Sequence, residues 1–254
     1  MSNPTLISIG LLLGMIGLLL GGSSVSAAPT GDIPALADWI LEETGSTAGV
    51  MAVLGCDNPE LAFALVKGSR MLIHGLDPNE EQVMALRQAA INQKLSISRL
   101  IPERWPPSQD TPVHRLPYAD RMLDLVVAVN LALERLQILK AEELLRVLRP
   151  GGKAFIGYAG DPVQESDRYG LVEWAGSQGL SNDLREDAHG AWIILTGQLP
   201  AKTDDWSHWE HGPDNNPVSH DEVILAPYMT HWLGLPYYIA MPAITTASGG
   251  RTFV

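Results

Sequence analysis

The sequence predicts an α/β chain built on one doubly wound, mostly parallel sheet, and three observations carry that prediction. From residue 49 to residue 196, short apolar runs alternate with longer segments of helical period, the pattern of repeated βαβ units. The run at 123–129 is nearly continuous in apolar residues and rich in valine, as a strand covered on both faces must be. Residues 142–157 place a helical stripe of Leu144, Leu145, Val147 and Leu148, a Pro150-Gly151-Gly152 stop and an apolar strand in direct succession. Crossovers between such strands are right-handed, so one sheet with helices on both sides is expected.

The elements follow in order. A first helix spans 32–43, with Ile33, Leu36, Ile40 and Leu41 on its apolar side and Thr44-Gly45-Ser46 as its end. Next come a strand over 50–54, a helix over 60–66, a strand over 71–76 and a helix over 79–93. A third strand is expected over 97–101, and 102–117, with five prolines, is expected to be irregular. The strand at 123–129 precedes a helix over 138–148, a strand over 154–158, a helix of weaker period over 165–178 and a late strand over 191–195 ahead of Gly197.

Composition narrows the function classes. A chain of 254 residues with 46% hydrophobic residues can bury a full core. Its net charge of −12 sets up no field that gathers nucleic acid or anionic lipid, so no nucleic-acid partner is expected. Cys56, the single cysteine, excludes an internal disulfide and any cysteine-rich zinc site.

The ends differ from the middle. The first 31 residues hold no Asp, Glu, Lys or Arg; 6–20 form an apolar block, and Val25 and Ala27 occupy the small-residue positions before a cleavage after Ala27. Residues 1–28 resemble a secretory signal segment. Left uncleaved, the block at 6–20 would anchor the chain, the only expected contact with a membrane. Either way the remainder is expected to be exported, to a periplasmic or extracellular space. A boundary is expected within 198–203, dividing an α/β domain over 29–200 from a β-rich segment over 201–254. That segment holds three of the seven tryptophans and four of the seven histidines, shows no helical period, and ends in a strand, a turn and the start of another strand. It is expected to be an incomplete domain.

In a parallel sheet, ligands sit beyond the carboxyl ends of the strands. Gly55 ends the first strand, and Asp57-Asn58 can cap the next helix and aim its N–H groups at a polar ligand. Asp77 closes the second strand 22 residues after Gly55, a separation at which a carboxylate accepts both hydroxyl hydrogens of a ribose; Asp77-Pro78-Asn79 can equally be a plain strand-to-helix turn. Asn130, at the end of the 123–129 strand, either orients a substrate or terminates the strand. Cys56 is either a reactive thiol at a helix N-terminus or a buried small residue. His208 and His211, with Asp205, Asp214, His220, Asp221 and His231 nearby, have no periodic element to fix them, so they are expected to be loop side chains and no metal is expected.

Val53-Leu54-Gly55-Cys56 with Glu60-Leu61-Ala62, Leu76-Asp77-Pro78, Leu116-Pro117-Tyr118-Ala119-Asp120 leading into Leu123-Asp124-Leu125-Val126-Val127, and Leu145-Arg146-Val147-Leu148-Arg149-Pro150-Gly151-Gly152 together resemble the class I S-adenosylmethionine-dependent methyltransferases across 49–196. The resemblance implies a Rossmann-like methyltransferase fold and a small-molecule cofactor, S-adenosylmethionine. It places the cofactor loop on Gly55 to Pro59, the ribose acid on Asp77 followed by Pro78, the adenine-flanking turn on Leu116 to Asp120 with Tyr118, and the substrate-facing strand end on Val129-Asn130. The chain departs from the family at Val53, where an acid is usual, and at Asp57 and Pro59, where glycines are usual. Methyl transfer demands mainly in-line positioning, so no acid–base pair is required.

Asp204-Asp205-Trp206-Ser207-His208 and Tyr237-Tyr238 through Gly249-Gly250-Arg251-Thr252-Phe253-Val254 resemble the opening of a quinoprotein-type β-propeller. The expected function is methyl transfer to an unknown acceptor. The alternative is an inactive methyltransferase-fold scaffold or binding module attached to the propeller.

Overall fold

The computed structural model describes residues 32–95, 98–106, 115–160, 162–180, 183–223, 246–248 and 251–253. The signal segment and most of 224–254 therefore lie outside the described residues. Three helices alternate with the first strands: α1 (Ile33–Thr44), β1 (Val50–Leu54), α2 (Pro59–Gly68), β2 (Leu72–Asp77), α3 (Glu80–Asn92) and β3 (Leu100–Arg104). Then come β4 (Leu123–Val129), α4 (Leu133–Ile138), α5 (Ala141–Val147), β5 (Leu148–Ala159), α6 (Glu165–Ser177), β6 (Leu184–Asp187) and β7 (Gly190–Thr196). Apart from this set, β8 (Thr246–Ser248) pairs antiparallel with β9 (Arg251–Phe253).

Seven strands form one sheet in the order β3-β2-β1-β4-β5-β7-β6. The first five in that order run parallel, and β7 and β6 add an antiparallel edge. α1, α2 and α3 start where polar side chains meet unpaired backbone donors. Asp32 accepts from the Ala35 N–H at 3.2 Å, Asn58 from Leu61 at 3.1 Å and Asn79 from Glu81 at 2.9 Å. Asn58, not Asp57, is thus the cap of α2.

Alternation along the strands divides the core in two. Met51, Val53, Ile73, Leu125, Val127 and Phe155 pack under α1, α2 and α3, against Leu36, Ile40, Leu65, Val83 and Leu86. Ala52, Leu54, Leu76, Val126, Ala128 and Ile156 face Leu136, Leu144, Val147, Leu171 and Trp174 from α4, α5 and α6. Both faces of β1 and β4 are buried, which is why those runs are apolar apart from Asp124 near the start of β4.

Three expectations need correction. β3 lies three residues later than expected, over Leu100–Arg104, so it takes in Pro102. A proline is tolerated there because, among the described residues, β3 pairs only with β2 and forms the edge of the sheet. The Pro102 carbonyl instead accepts from Arg87, at 3.0 Å from Nε and 2.8 Å from Nη2. The helix expected over 138–148 is confined to α5, Ala141–Val147, because Leu139 and Lys140 have extended backbone and separate it from α4. Side chains near the end of α6 take the groups the break frees: Trp174 Nε1 donates to the Leu139 carbonyl at 2.8 Å, and the Ala141 N–H donates to Gln178 Oε1 at 3.1 Å. Finally, α4 and the short polar β6 have no counterpart in the sequence pattern.

The Pro-Gly-Gly corner does more than stop a helix. The helix ends before it, at Val147, and Leu148 to Lys153 form an irregular bulge at the start of β5, where the register against β4 jumps from Leu123↔Leu148 to Leu125↔Lys153. Gly152 is obligatory in this bulge, because a Cβ there would lie 2.8 Å from the Leu123 carbonyl oxygen. Arg149 Nε donates to Asp124 Oδ1 at 2.5 Å, and Asp124 Oδ2 accepts the Val50 N–H at 2.8 Å. One carboxylate thus joins the amino ends of β1, β4 and β5. Asp124→Ala is expected to lower stability by about 1–3 kcal/mol through the donors it leaves unpaired, seen as a lower urea midpoint at unchanged slope. An unchanged midpoint would show that the corner holds without this carboxylate.

Candidate functional site

The strand order reverses between β1 and β4, and connections leaving in opposite directions open a crevice beyond the carboxyl ends of the strands. A hollow of about 180 Å³ lies there, walled by Leu54, Leu76, Pro78, Trp105, Leu116 and Leu131, with Arg135, Ile138 and Leu139 from α4 and its exit. A larger open groove of about 490 Å³ between α1 and α2, with Asp38, Glu60 and Lys67, lies away from the strand ends.

Gly55 leaves β1 with φ 109°, a conformation that favours glycine, and its N–H donates to the Leu76 carbonyl at 2.8 Å. The turn brings the Cys56 N–H to Asp77 Oδ2 at 2.9 Å. Asp77 is 2% exposed. Its Oδ1 accepts the Asn79 N–H at 2.8 Å, and Arg135 Nη1 closes on Oδ2 at 3.0 Å. Asp77 therefore occupies the expected strand end beside the expected loop, with both oxygens engaged by the chain itself. The strand-to-helix turn considered for Asp77-Pro78-Asn79 is also present, since Asp77 and Asn79 each accept a backbone N–H two residues on.

The other predicted residues disperse. Pro78 lines the hollow, while Asp57 is exposed and bends over Gly55, where a Cβ would lie 3.0 Å from Asp57 Oδ1. Asn130 takes a left-handed conformation, φ 55°, and its Oδ1 accepts the Ala159 N–H at 2.8 Å, so the side chain locks β4 to β5. Tyr118 is buried, its hydroxyl hydrogen-bonded to His74 Nδ1 at 2.9 Å, with His74 Nε2 in turn 2.9 Å from Glu103 Oε2. Burial, and secondarily the Glu103 charge, push the Tyr118 phenol well above its ordinary pKa. Of the Leu116 to Asp120 turn, Leu116 alone reaches the hollow.

That turn is held from α5. Glu143 Oε1 accepts the Leu116 N–H at 2.6 Å, and Arg146 Nη1 donates to the Tyr118 carbonyl at 2.9 Å and to Asp120 Oδ1 at 2.6 Å. Arg146 and Glu143 also pair directly, at 2.6 Å. The Arg146 hydrogen bond holds the Asp120 carboxyl below its usual range. The Leu-Arg segment of the Pro-Gly-Gly corner therefore reaches the site indirectly, through the loop that walls it.

Arg135 is the site residue that sequence pattern does not mark. It belongs to α4, a single short helix without a side-chain cap, and only the approach of that helix to the strand ends carries the guanidinium over Gly55. The consequence for a cofactor is concrete. The apolar hollow accommodates a ring-sized group, yet 180 Å³ falls below the roughly 300 Å³ or more that enclosing an organic cofactor requires. Asp77 and the apolar walls fit a nucleoside, and as arranged Arg135 on Asp77 and Asp57 over Gly55 cover the place where its sugar would lie.

A second gathering of chemical groups lies outside the sheet. Asp204, His211 and His220 each present one potential ligand atom, all within 4.8 Å of one another. Asp204 was not among the residues that the sequence suggested for a metal, and His208 does not join the group.

Residues 53–156 match the family described as Methyltransferase domain. The match runs from the end of β1 into β5 and contains the segments at 76–78, 116–127 and 145–152 on which the sequence resemblance rests. No curated protein matches the chain. Among solved structures it is similar to a provisionally assigned S-adenosyl-L-methionine-dependent methyltransferase from Methanococcus maripaludis, with 20% identity over 66% of this chain and 86% of that one and a TM-score of 0.48. It is also similar to a SAM-dependent methyltransferase from Aquifex aeolicus, with 15% identity over 63% and 89% of the two chains and a TM-score of 0.44. The [4+2]-cyclase SpnF shares 22% identity over 57% of this chain and 56% of its own, at a TM-score of 0.43.

Cys56 is buried, and burial first, then the Asp77 charge, pushes its thiol up to about 12. It stays protonated at neutral pH, so it belongs to the wall of the loop and not to the chemistry. Above pH 9.0 the unfolded chain forms a thiolate that the folded one resists until about 12, so this group's contribution to stability falls across that window. The native protein at pH 8 is expected to resist iodoacetamide, with full alkylation only in denaturant. Rapid native alkylation would contradict the buried placement.

Proposed function

We propose that the α/β domain binds S-adenosylmethionine or a close relative at the carboxyl ends of β1, β2 and β4 and transfers its methyl group to an acceptor not identified by the site. The observation that carries this reading is the position of Asp77, a carboxylate at the end of β2, one hydrogen bond from the Gly55-Cys56 turn and beside an apolar hollow. When bound, the cofactor would supply an electrophilic methyl group. The chain's own part is to seat the nucleoside: Asp77 would accept from the sugar hydroxyls, and Leu54, Leu76 and Leu116 would enclose the base. Arg135 must first leave Asp77, and its 27% exposed side chain can do so by turning into solvent.

The same ion pair supports a second reading, a methyltransferase-fold scaffold whose seat is permanently shut. The export signal read at 1–28 and the propeller resemblance of 201–254 belong with either reading. We infer an exported protein in which this domain precedes a quinoprotein-type module; appearance of the chain in the cytoplasmic fraction with residues 1–28 retained would remove that inference.

Equilibrium binding of labelled S-adenosylmethionine to the full chain separates the two readings. Under the first, the protein binds saturably, Asp77→Ala weakens binding by about 10- to 100-fold, and Arg135→Ala tightens it by about tenfold as the seat opens. Absence of binding at millimolar cofactor in both the parent and the Arg135→Ala protein would leave the scaffold.

A further inference from the structure

The segment 203–221 brings three side chains together at a place unconnected with the strand ends. His211 is buried at 8% relative exposure, in a left-handed conformation of φ 70° fixed by a bridge in which the His208 N–H donates to the His211 carbonyl. Trp206 packs edge-on against its ring at 5.2 Å. This places His211 Nε2 2.6 Å from Asp204 Oδ2. From the other side comes His220, 75% exposed at its side chain, with Nδ1 3.7 Å from the same oxygen and its ring 5.7 Å from that of His211.

The carboxylate is oriented before any ligand arrives. Asp204 Oδ1 accepts the Asp205 N–H at 2.9 Å, while Oδ2 accepts the His220 N–H at 2.6 Å and the Ser219 hydroxyl at 3.3 Å. Those bonds hold the carboxylate oxygens in place within the loop.

We propose that Asp204, His211 and His220 form a binding site for a divalent first-row transition ion, with zinc the best match. Two imidazole nitrogens and one carboxylate oxygen are the donor set such an ion prefers over magnesium or calcium, which take oxygen ligands. Around a tetrahedral zinc the donors stand about 3.4 Å apart, and the three atoms, all within 4.8 Å of one another, reach that spacing by side-chain rotation. Binding replaces the hydrogen bond between His211 Nε2 and Asp204 Oδ2 by one metal–nitrogen and one metal–oxygen bond, the single ring proton of the neutral imidazole passing to Nδ1. His220 enters from the exposed side as the third ligand, and a fourth position stays open to water. The ion would close the loop from Asp204 to His220 in a segment that has only an isolated bridge as regular structure.

The test is titration of Zn²⁺ into the chelator-stripped full chain by calorimetry, with Co²⁺ absorption as a second readout of coordination. One equivalent is expected to bind saturably. His220→Ala removes an exposed ring and leaves the fold intact, as circular dichroism would verify. It and His211→Ala should each weaken binding by about 100-fold or more, beyond what loss of an outer-sphere partner costs. His208→Ala, outside the triad, should bind as the parent does. Failure to saturate at one equivalent, parent-like affinity in both His211→Ala and His220→Ala, or equal loss in His208→Ala would each overturn the proposal.

Discussion

Burial of the central strands on both faces governs the rest of this molecule. A charged group cannot sit in the middle of β1 or β4 without losing its hydration to two apolar layers, so polar side chains collect where the strands begin and end. Two aspartates then do complementary work. Asp124 ties the amino ends of β1, β4 and β5 through Val50 and Arg149. Asp77, at the opposite edge, ties the turn after β1, the start of α3 and the helix α4 through Cys56, Asn79 and Arg135.

The second of these knots is also the functional question. A buried carboxylate needs its donors, and Asp77 has two from backbone and one from a guanidinium. The backbone donors cannot leave without unfolding the turns that carry them. The guanidinium can, because its partner is 2% exposed while its own side chain is 27% exposed and reaches water by rotation. The asymmetry makes Arg135 the movable element and Asp77 the fixed one. A ligand that offers Asp77 two hydroxyl donors would replace the guanidinium's hydrogen bond with two to the same carboxylate.

Much of the architecture was legible from pattern. β1 and β4 coincide with the runs read at 50–54 and 123–129, because continuous apolar β-branched runs have few alternatives in a two-sided core. α1 and α3 begin at polar residues that cap them and end close to their predicted limits. The misreadings have a common cause: Pro102 is acceptable because β3 is an edge, and the break at Leu139 is acceptable because Trp174 and Gln178 satisfy the exposed backbone, and neither condition is local in sequence.

For the site, the division is sharper. Length, apolar periodicity and the Pro-Gly-Gly corner determined a mostly parallel sheet, and with it the strand ends at which Gly55, Asp77 and Pro78 gather. These follow from backbone sterics and burial, which are written locally in residue type. Only the tertiary structure decided that Arg135 faces Asp77, that Tyr118 turns to His74 and Asn130 to Ala159, and that Asp204 meets His211 and His220. The first three pairings depend on where separate elements come to rest against one another and the last on the path of one loop, and single side chains carry no period that announces such meetings.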